Sequence, residues 1–490
     1  MNYDDTDVDL SITREELSKK TARDLYKISK AIKVKNYTHF RKPELLVEIE
    51  KRMNEIRKEK GIGGGAPGGG IDVDKDETQG AVKVQMSQEN KTKEKPVRPA
   101  QQSENIQKRQ IATGRDEKKE EMFFKGLLEI HPDGYGFLRS NYFPSFSDVY
   151  VSPPLIRRFG LKTGDTIYGP VQGPQRDGSK YSSLVTVKTI NGVEVMGYLK
   201  RPAFETLTPM YPNQRIILET PKCNIALRIM DLVDPLGKGQ RGLIVSPPKA
   251  GKTTLIKAIA QSVIKNHPEI ILIILLIDER PEEVTDMQMS VSAEVVSSTF
   301  DQSPENHIRV VELALERAKR LVEMGNDVMI LLDGITRLTR AYNLLSSNTG
   351  KTLSGGLDPS AIKGPKKFLG AARNILNGGS LTMLATALID TGSRLDQVIY
   401  EEFKGTGNME IILNRSLAEQ MLFPAVDIKR SGTRKEELLY TPEEYKKVWT
   451  LRKFIGSFDP SESLSRLLDM LKKTESNKEF LESIMTGDEK

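Results

Sequence analysis

The sequence predicts a multidomain chain in which a small N-terminal helical module and a five-stranded barrel precede a parallel α/β core that carries a phosphate loop. Three observations predict it. The apolar run Gly242 to Val245 leads into SPPKAGKTT at Ser246 to Thr254, and then into the helical pattern Leu255, Ile256, Ala258, Ile259. Two further runs, Ile270 to Ile277 and Val328 to Leu332, are apolar on both faces, as strands covered by helices are, and each runs into acids. Between Phe123 and Val187 the texture is instead one of short alternating strands separated by turns.

At 490 residues the chain is too long for one ordinary domain of about 150 residues. Lys and Arg number 73 against 67 Asp and Glu, so a site for a polyanion has to be a local patch. The single cysteine, Cys223, excludes an internal disulfide framework and fits a reducing compartment. The N-terminus MNYDDTDVDL is acidic and lacks the basic and apolar regions of a signal peptide. The longest apolar run, Ile270 to Ile277, falls short of the roughly 20 residues that span a membrane. A soluble, cytoplasmic protein with no membrane partner is expected.

Residues 13–57 carry helix signals: a capping box at Thr13 and Glu16, Leu25, Ile28 and Ile32 at helical spacing, then Pro43 opening a second helix with Leu46, Ile49 and Met53 on one face. From Arg41 to Met122 there is no aromatic residue, and residues 58–121 cannot bury enough apolar surface to offset chain entropy, so a disordered linker is expected there. Residues 122–190 form the barrel, with strands at Phe123 to Ile130, Gly136 to Arg139, Val149 to Val151, Thr166 to Tyr168 and Leu184 to Val187. A proline-rich connector, 191–221, leads to the core at 222–490.

The two-residue period of strands puts Tyr135, Phe137 and Arg139 on one face of the barrel and Leu138 on the other; next along, Asp148 and Tyr150 share a face while Val149 and Val151 oppose it. Rings beside a guanidinium make a platform on which unpaired bases stack. The alternative is that the rings fill the barrel, but Leu138, Val149 and Val151 already supply inward positions.

In the core, a loop turned so that its backbone N–H groups face inward, at the positive end of a helix, suits a triphosphate. The pattern G-x-x-x-x-G-K-[ST] is met at Gly251, Lys252 and Thr253 and departs only at its first position, Ser246. Lys252 then reaches the β- and γ-phosphates and Thr253 holds Mg²⁺. Gly350-Lys351-Thr352 repeats the string without a strand before it, and is no phosphate loop. Parallel strands end along one edge, which gathers Lys252, Thr253, Glu279 and Asp333, and a third run, Leu381 to Leu388, delivers Asp390 to Arg394 to the same side. Asp333 fits a ligand of the Mg²⁺ shell and Glu279 the residue that polarises the attacking water, the alternative for each being an ordinary strand-end cap.

From about Phe123 to Phe454 the chain resembles the bacterial transcription termination factor Rho family, through LLIDERPEEVT, LLDGITRLTRAYN, ALIDTGSRLDQVIYEEFKGTGNMEIILNR and RSGTRKEELL. The helical module is similar to the family's N-terminal piece. The resemblance implies an OB/cold-shock-like barrel and a RecA-like ATPase core assembled as a homohexamer, with ATP and Mg²⁺ at each subunit interface and RNA threaded through the centre. It implies that Pro248, Lys249, Ala250, Gly251, Lys252, Thr253 and Thr254 hold the phosphates, that Phe423 stacks on the adenine, and that Arg280 and Arg337 lie near the γ-phosphate. Arg434 is similar to the family's arginine finger, which enters the neighbouring subunit's site. Asp133, Tyr135, Phe137, Arg139, Asp148, Tyr150 and Tyr181 match the primary RNA site, pyrimidine-preferring in the family; the loop Ser346 to Gly356 with Lys351, and Thr391, Gly392, Ser393 and Arg394, resemble the pore loops that grip RNA.

The function expected is that of an RNA-dependent ATPase that moves 5′-to-3′ along single-stranded RNA and dislodges RNA polymerase, with the elongation factor NusG as a further partner. Two rivals stand beside it. A rotary-type ATPase subunit shares the core but leaves the barrel unexplained, and an RNA-binding protein with a relic phosphate loop leaves the intact acid and arginine set unexplained.

Overall fold

The computed structural model describes residues 25, 28–29, 32, 49, 51–53, 122–174, 180–195, 201–222, 224–346 and 353–484. The chain divides into one unit ending at Ile111 and a second running from Ala112 to the C-terminus. Within the first, Leu25, Ile32, Ile49 and Met53 are buried and Ser29 Oγ donates to the Leu25 carbonyl at 2.8 Å. The expected capping box at Thr13 and the linker expected over 58–121 lie outside the described residues.

In the second unit the barrel comes first. Its strands are β1 (Met122–Ile130), β2 (Gly136–Arg139), β3 (Val149–Val151), β4 (Thr166–Gln172) and β5 (Ser182–Leu184). The order is β1-β2-β3-β5-β4, and β1 also pairs with β4, which closes the ring and leaves no free edge among the five. Period-two alternation sends Leu128, Leu138, Val149, Val151, Ile167 and Leu184 into its centre. A helix not expected from the sequence, α1 (Pro153–Phe159), links β3 to β4. Its signals were present: Pro153 opens the first turn, where its missing N–H costs nothing, and Gly160 closes the helix in the left-handed conformation, at φ 58°.

The core is a nine-stranded sheet. Its main path uses β6 (Arg241–Ser246), β7 (Ile271–Glu279), β8 (Glu294–Thr299), β9 (Asp327–Asp333), β10 (Ser380–Leu388), β11 (Met409–Ile412) and β12 (Gly432–Thr433) in the order β8-β7-β9-β10-β6-β11-β12. All neighbours on this path are parallel except β11 and β12. The helices include α2 (Ile225–Val233), α3 (Lys252–Asn266), α4 (Pro281–Ser290), α5 (Pro304–Val322), α6 (Ile335–Leu345), α7 (Arg394–Lys404), α8 (Pro442–Ile455), α9 (Pro460–Leu471) and α10 (Asn477–Glu482), with two further short ones at Lys363–Gly370 and Arg415–Glu419.

Alternate residues of one strand feed two different cores. Ile274, Leu276, Met329 and Leu331 pack with α2, α3 and the C-terminal helices, whereas Ile273, Leu275, Ile277, Ile330 and Leu332 pack with α5 and α6. Each such side chain contributes about 1.5–3 kcal/mol when fully buried, so strands apolar on both faces need a layer on each side. The C-terminal helices close the first core: Leu464, Leu467 and Leu471 are buried, and Arg228 of α2 donates to Asn477 Oδ1 at 3.1 Å and to the Thr474 carbonyl at 2.7 Å.

The barrel sits on α5. Gly164, at φ +92°, lies so near this helix that a Cβ would stand 2.4 Å from the Glu316 carbonyl carbon. Tyr142 donates to Glu294 at 2.5 Å, Arg317 to Thr166 Oγ1 at 2.5 Å, and Arg201 pairs with Asp165 at 2.6 Å and with Glu323 at 2.7 Å. These groups are largely buried, so breaking one leaves a partner charge uncompensated.

Candidate nucleotide and RNA sites

Strand register assembles the first site. Leu276 of β7 lies beside Asp333 of β9, and Ser246 of β6 beside Leu388 of β10, so the carboxyl ends of the strands share one edge. The ladder between β7 and β8 shifts at Asp278, which has φ 58°, and this bulge re-aims the side chain that follows, Glu279. Lys249 at φ 64° and Gly251 at φ 93° turn the loop ahead of α3, whose first-turn N–H groups lack helical partners. A Cβ at Gly251 would meet nothing within 4 Å, so the concave side of the loop is open. Pro248, Lys249 and Thr254 are exposed, Ala250 is buried, and Thr253 is half-buried.

Lys252 Nζ stands 3.1 Å from Glu279 Oε1 and 2.5 Å from Asp333 Oδ1. Both carboxylates are only 2% exposed, which makes them costly without a cation. Arg337 of α6 reaches Glu279 Oε1 at 3.1 Å and donates to the Asp278 carbonyl, while Thr386 of β10 donates to Asp333 Oδ1 at 2.8 Å. Burial and the neighbouring Asp333 push the Glu279 carboxyl above the usual range, against the pull of Lys252 and Arg337. Thr386 escaped the sequence reading, although it is one of two threonines in the otherwise apolar body of Leu381 to Leu388. Arg280 is exposed at the start of α4, and Phe423, 49% exposed, follows β11 on the same edge.

Among the described residues no group of three or more His, Cys, Asp or Glu could hold a metal. One buried carboxylate and one hydroxyl, Asp333 and Thr253, are instead the few hard oxygens with which Mg²⁺ binds when a nucleotide's phosphates complete its shell. The residues fit.

Arg434 is elsewhere. Its N–H donates to the Asn408 carbonyl at 2.8 Å, and Asn408 in turn donates to the Arg241 carbonyl at 2.9 Å, at the beginning of β6. The phosphate loop is at the other end of that strand, about 17 Å away at roughly 3.3 Å per residue. Arg434 is exposed there, near Arg241; burial, then the charges of Arg373 and Arg434, lower the pKa of the Arg241 guanidinium.

The two expected pore loops leave from elements that touch the acid pair. Helix α6 starts two residues beyond Asp333 and ends where the first loop begins; β10 carries Thr386 and runs into the second, with Ile389 donating to the Ser246 carbonyl at 3.2 Å. The loops also meet each other, since a Cβ at Gly355 would stand 2.9 Å from the Arg394 carbonyl carbon. Asp396, almost fully buried, anchors the second loop by accepting from Thr391 Oγ1 at 2.6 Å and from Arg340 at 2.6 and 2.9 Å. Gly392 and Arg394 are exposed and Ser393 is half-buried. Lys351 lies outside the described residues.

On the barrel, Tyr135, Phe137, Tyr150 and Tyr181 form one continuous cluster, with ring centroids 5.1–6.0 Å apart along Phe137–Tyr181, Tyr135–Phe137, Tyr135–Tyr150 and Phe137–Tyr150. Asp133 is exposed beside His131 at 3.1 Å. The polar members differ from the expected free guanidinium. Arg139 is 8% exposed and Asp148 1%, because the two pair with each other and Arg139 also bonds Glu129 at 2.8 Å. Arg139 lies over the Phe137 ring at 5.0 Å, so it backs the platform instead of extending to a phosphate. Asp148 Oδ2 accepts from Ser145 N at 2.6 Å, and its Oδ1 is buried without a partner.

Comparison with known proteins fits this division. The Rho termination factor RNA-binding domain matches residues 124–196 and its N-terminal domain residues 16–55, while the nucleotide-binding domain of the ATP synthase alpha/beta family matches 226–433. Transcription termination factor Rho of Aquifex aeolicus is 54% identical over 377 residues, 75% of this chain and 86% of that protein. The chain belongs to the Rho family. Rho of Bacillus subtilis is 55% identical over 368 residues, again 75% of this chain and 86% of the relative. The Rho RNA-binding match coincides with the barrel and its aromatic cluster, and the nucleotide-binding match spans β6 to β12, making the core a RecA-like nucleotide-binding domain. Among the described residues no helix is long and apolar enough to cross a membrane.

Proposed function

We propose that this chain is the subunit of a homohexameric RNA-dependent ATPase that moves 5′-to-3′ along single-stranded RNA and releases transcripts from RNA polymerase; the name its relatives carry, transcription termination factor, supports the last part. One observation carries the motor part: Asp333 closes β9 just before α6, which leads into the loop 346–356, and its partner Thr386 lies on β10, which leads into 391–394. A change around the acid pair is then a change at the base of both loops. NusG is the family's further partner.

The chemistry follows from the residues. The loop from Pro248 to Thr254 cradles the phosphates with backbone N–H groups, and Lys252 neutralises them. Thr253 and Asp333 would hold Mg²⁺, which screens the charge on the phosphate oxygens. Glu279 orients the attacking water and takes its proton, held in place by Arg337 at 3.1 Å. Phe423 offers a half-exposed ring to the adenine. Arg434, too far from its own loop, serves the neighbouring subunit, so catalysis needs the ring. In the barrel the rings stack bases, and the unpaired Asp148 Oδ1 suits the exocyclic amino group of a cytosine.

Steady-state ATP hydrolysis by the full chain, alone, with cytosine-rich single-stranded RNA and with duplex DNA, tests this. Stimulation by the RNA only is expected. Equal rates in all three would leave an ATPase and refute the RNA motor, and no turnover in any would favour a non-enzymatic RNA-binding protein.

A further inference from the structure

Four charged groups of alternating sign run from the base platform into the ATPase core. Asp148 Oδ2 meets Arg139 NH1; Arg139 Nε and NH2 both reach Glu129 Oε2 at 2.8 Å; and that same oxygen accepts from NH2 of Arg309, on α5, at 2.6 Å. We propose that Glu129 and Arg309 are positioning residues for base discrimination: Arg309 of the ATPase core fixes Glu129, Glu129 fixes the plane of the Arg139 guanidinium, and this fixes the Asp148 carboxylate, whose Oδ1 is left without a partner. The inference deepens the reading of the barrel as a base-reading site and rests on it.

The argument is geometric. A guanidinium is a planar fork, so two donors committed to Glu129 determine where the third points, and that third donor meets Asp148. Arg139 and Asp148 are too buried for water to replace a lost partner cheaply. Glu129 is the cross-strand neighbour of Phe137, the ring over which Arg139 lies. Burial works against the charged carboxylate of Glu129, yet the hydrogen bond from Arg309 and the charges of Arg139 and Arg309 hold its pKa below the usual range. Arg309 belongs to a different domain and touches no part of the platform, so its effect on base choice has to pass through Glu129. Its side chain is 34% exposed, which makes it replaceable without opening the core.

The test uses the full chain and the variants Glu129→Gln, Arg309→Gln and Arg309→Lys. Affinities for labelled oligocytidine and oligouridine of equal length are measured by fluorescence anisotropy at one salt concentration, and ATP turnover is titrated with oligocytidine. Wild type prefers cytidine. With Glu129→Gln the cytidine-over-uridine ratio falls about tenfold, the scale of one charge-assisted hydrogen bond. With Arg309→Gln it falls about threefold, in the same direction, and Arg309→Lys keeps the wild-type ratio because an ammonium still supports Glu129. The RNA concentration for half-maximal turnover rises while turnover at saturation stays. An unchanged ratio in both glutamine variants, with both affinities lowered equally, would overturn the proposal and leave the bridge a domain staple. If Glu129→Gln fails to fold, the ratio of Arg309→Gln decides alone. Absence of any preference in wild type would instead refute the base-reading site itself, and the proposal with it.

Discussion

Replacing Glu279 with glutamine separates chemistry from binding. The amide matches the carboxylate in shape and still accepts from Lys252 and Arg337, each 3.1 Å from Oε1, so the loop and α6 keep their places. What disappears is the negative charge and the ability to take a proton. Loss of a general base costs about 10²–10⁴-fold in rate, or about 3–5 kcal/mol at about 1.4 kcal/mol per tenfold. RNA-stimulated turnover is expected to fall by that factor, while nucleotide affinity, read with a fluorescent ATP analogue, changes by less than about threefold, under 1 kcal/mol. The pH dependence supplies a second readout. Because burial and Asp333 raise the Glu279 pKa, wild-type turnover falls on the acid side with a midpoint above that of an ordinary glutamate, and the variant's residual rate lacks that limb. The stability effect has the opposite sign: a carboxyl with a raised folded-state pKa stabilises at low pH and loses that contribution as pH rises through it. The neutral glutamine therefore melts no lower than wild type at neutral pH. Turnover within about threefold of wild type, or a loss of binding as large as the loss of turnover, would refute the assignment of Glu279.

Two further outcomes are expected. Tyr135→Ala with Phe137→Ala removes two of the clustered rings, each worth about 1–3 kcal/mol of base stacking, so affinity for single-stranded RNA falls at least about tenfold while RNA-independent hydrolysis stays; unchanged affinity would assign the rings to packing alone. Arg434→Ala lowers turnover about 10³-fold or more with ATP binding retained, and mixing it with Lys252→Ala subunits restores part of the activity, because some interfaces then pair an intact Arg434 with an intact loop. No recovery on mixing would exclude action across the interface.

The sequence made the core legible because its signals are local. Strands apolar on both faces, an acid at the end of each and a loop ahead of a helix place Lys252, Glu279 and Asp333 together with no knowledge of strand order. Partners set by register were not legible: Thr386 reaches Asp333 only because β10 lies beside β9, and Arg337 reaches Glu279 only because α6 returns toward the bulge at Asp278. The barrel shows the same limit. Alternation placed Tyr135, Phe137 and Arg139 on one face, but whether a side chain on that face is free depends on the neighbouring strand, and Glu129 from β1 takes the Arg139 guanidinium. Helix α1 was not among the expected elements, although a proline in the first turn and Gly160 after the last are ordinary helix-end signals.

Coupling in this molecule is carried by shared elements. Asp333 closes β9, and the next residues begin α6, whose Arg337 holds Glu279, whose Arg340 holds Asp396 under the second loop, and whose end opens the first. A rigid helix with ligands at its start and loops at its end cannot move at one without moving at the other. Arg434 adds the second half of the argument. It follows β12 at the far edge of the same sheet, and β12 pairs with β11, which lies beside β6, the strand that leads into the phosphate loop. On the proposed ring, a neighbour's nucleotide that drew Arg434 in would therefore bear on the frame that presents Lys252. Sequential firing around the proposed ring would require this connection, and in this chain Arg434 is exposed and remote from its own Lys252.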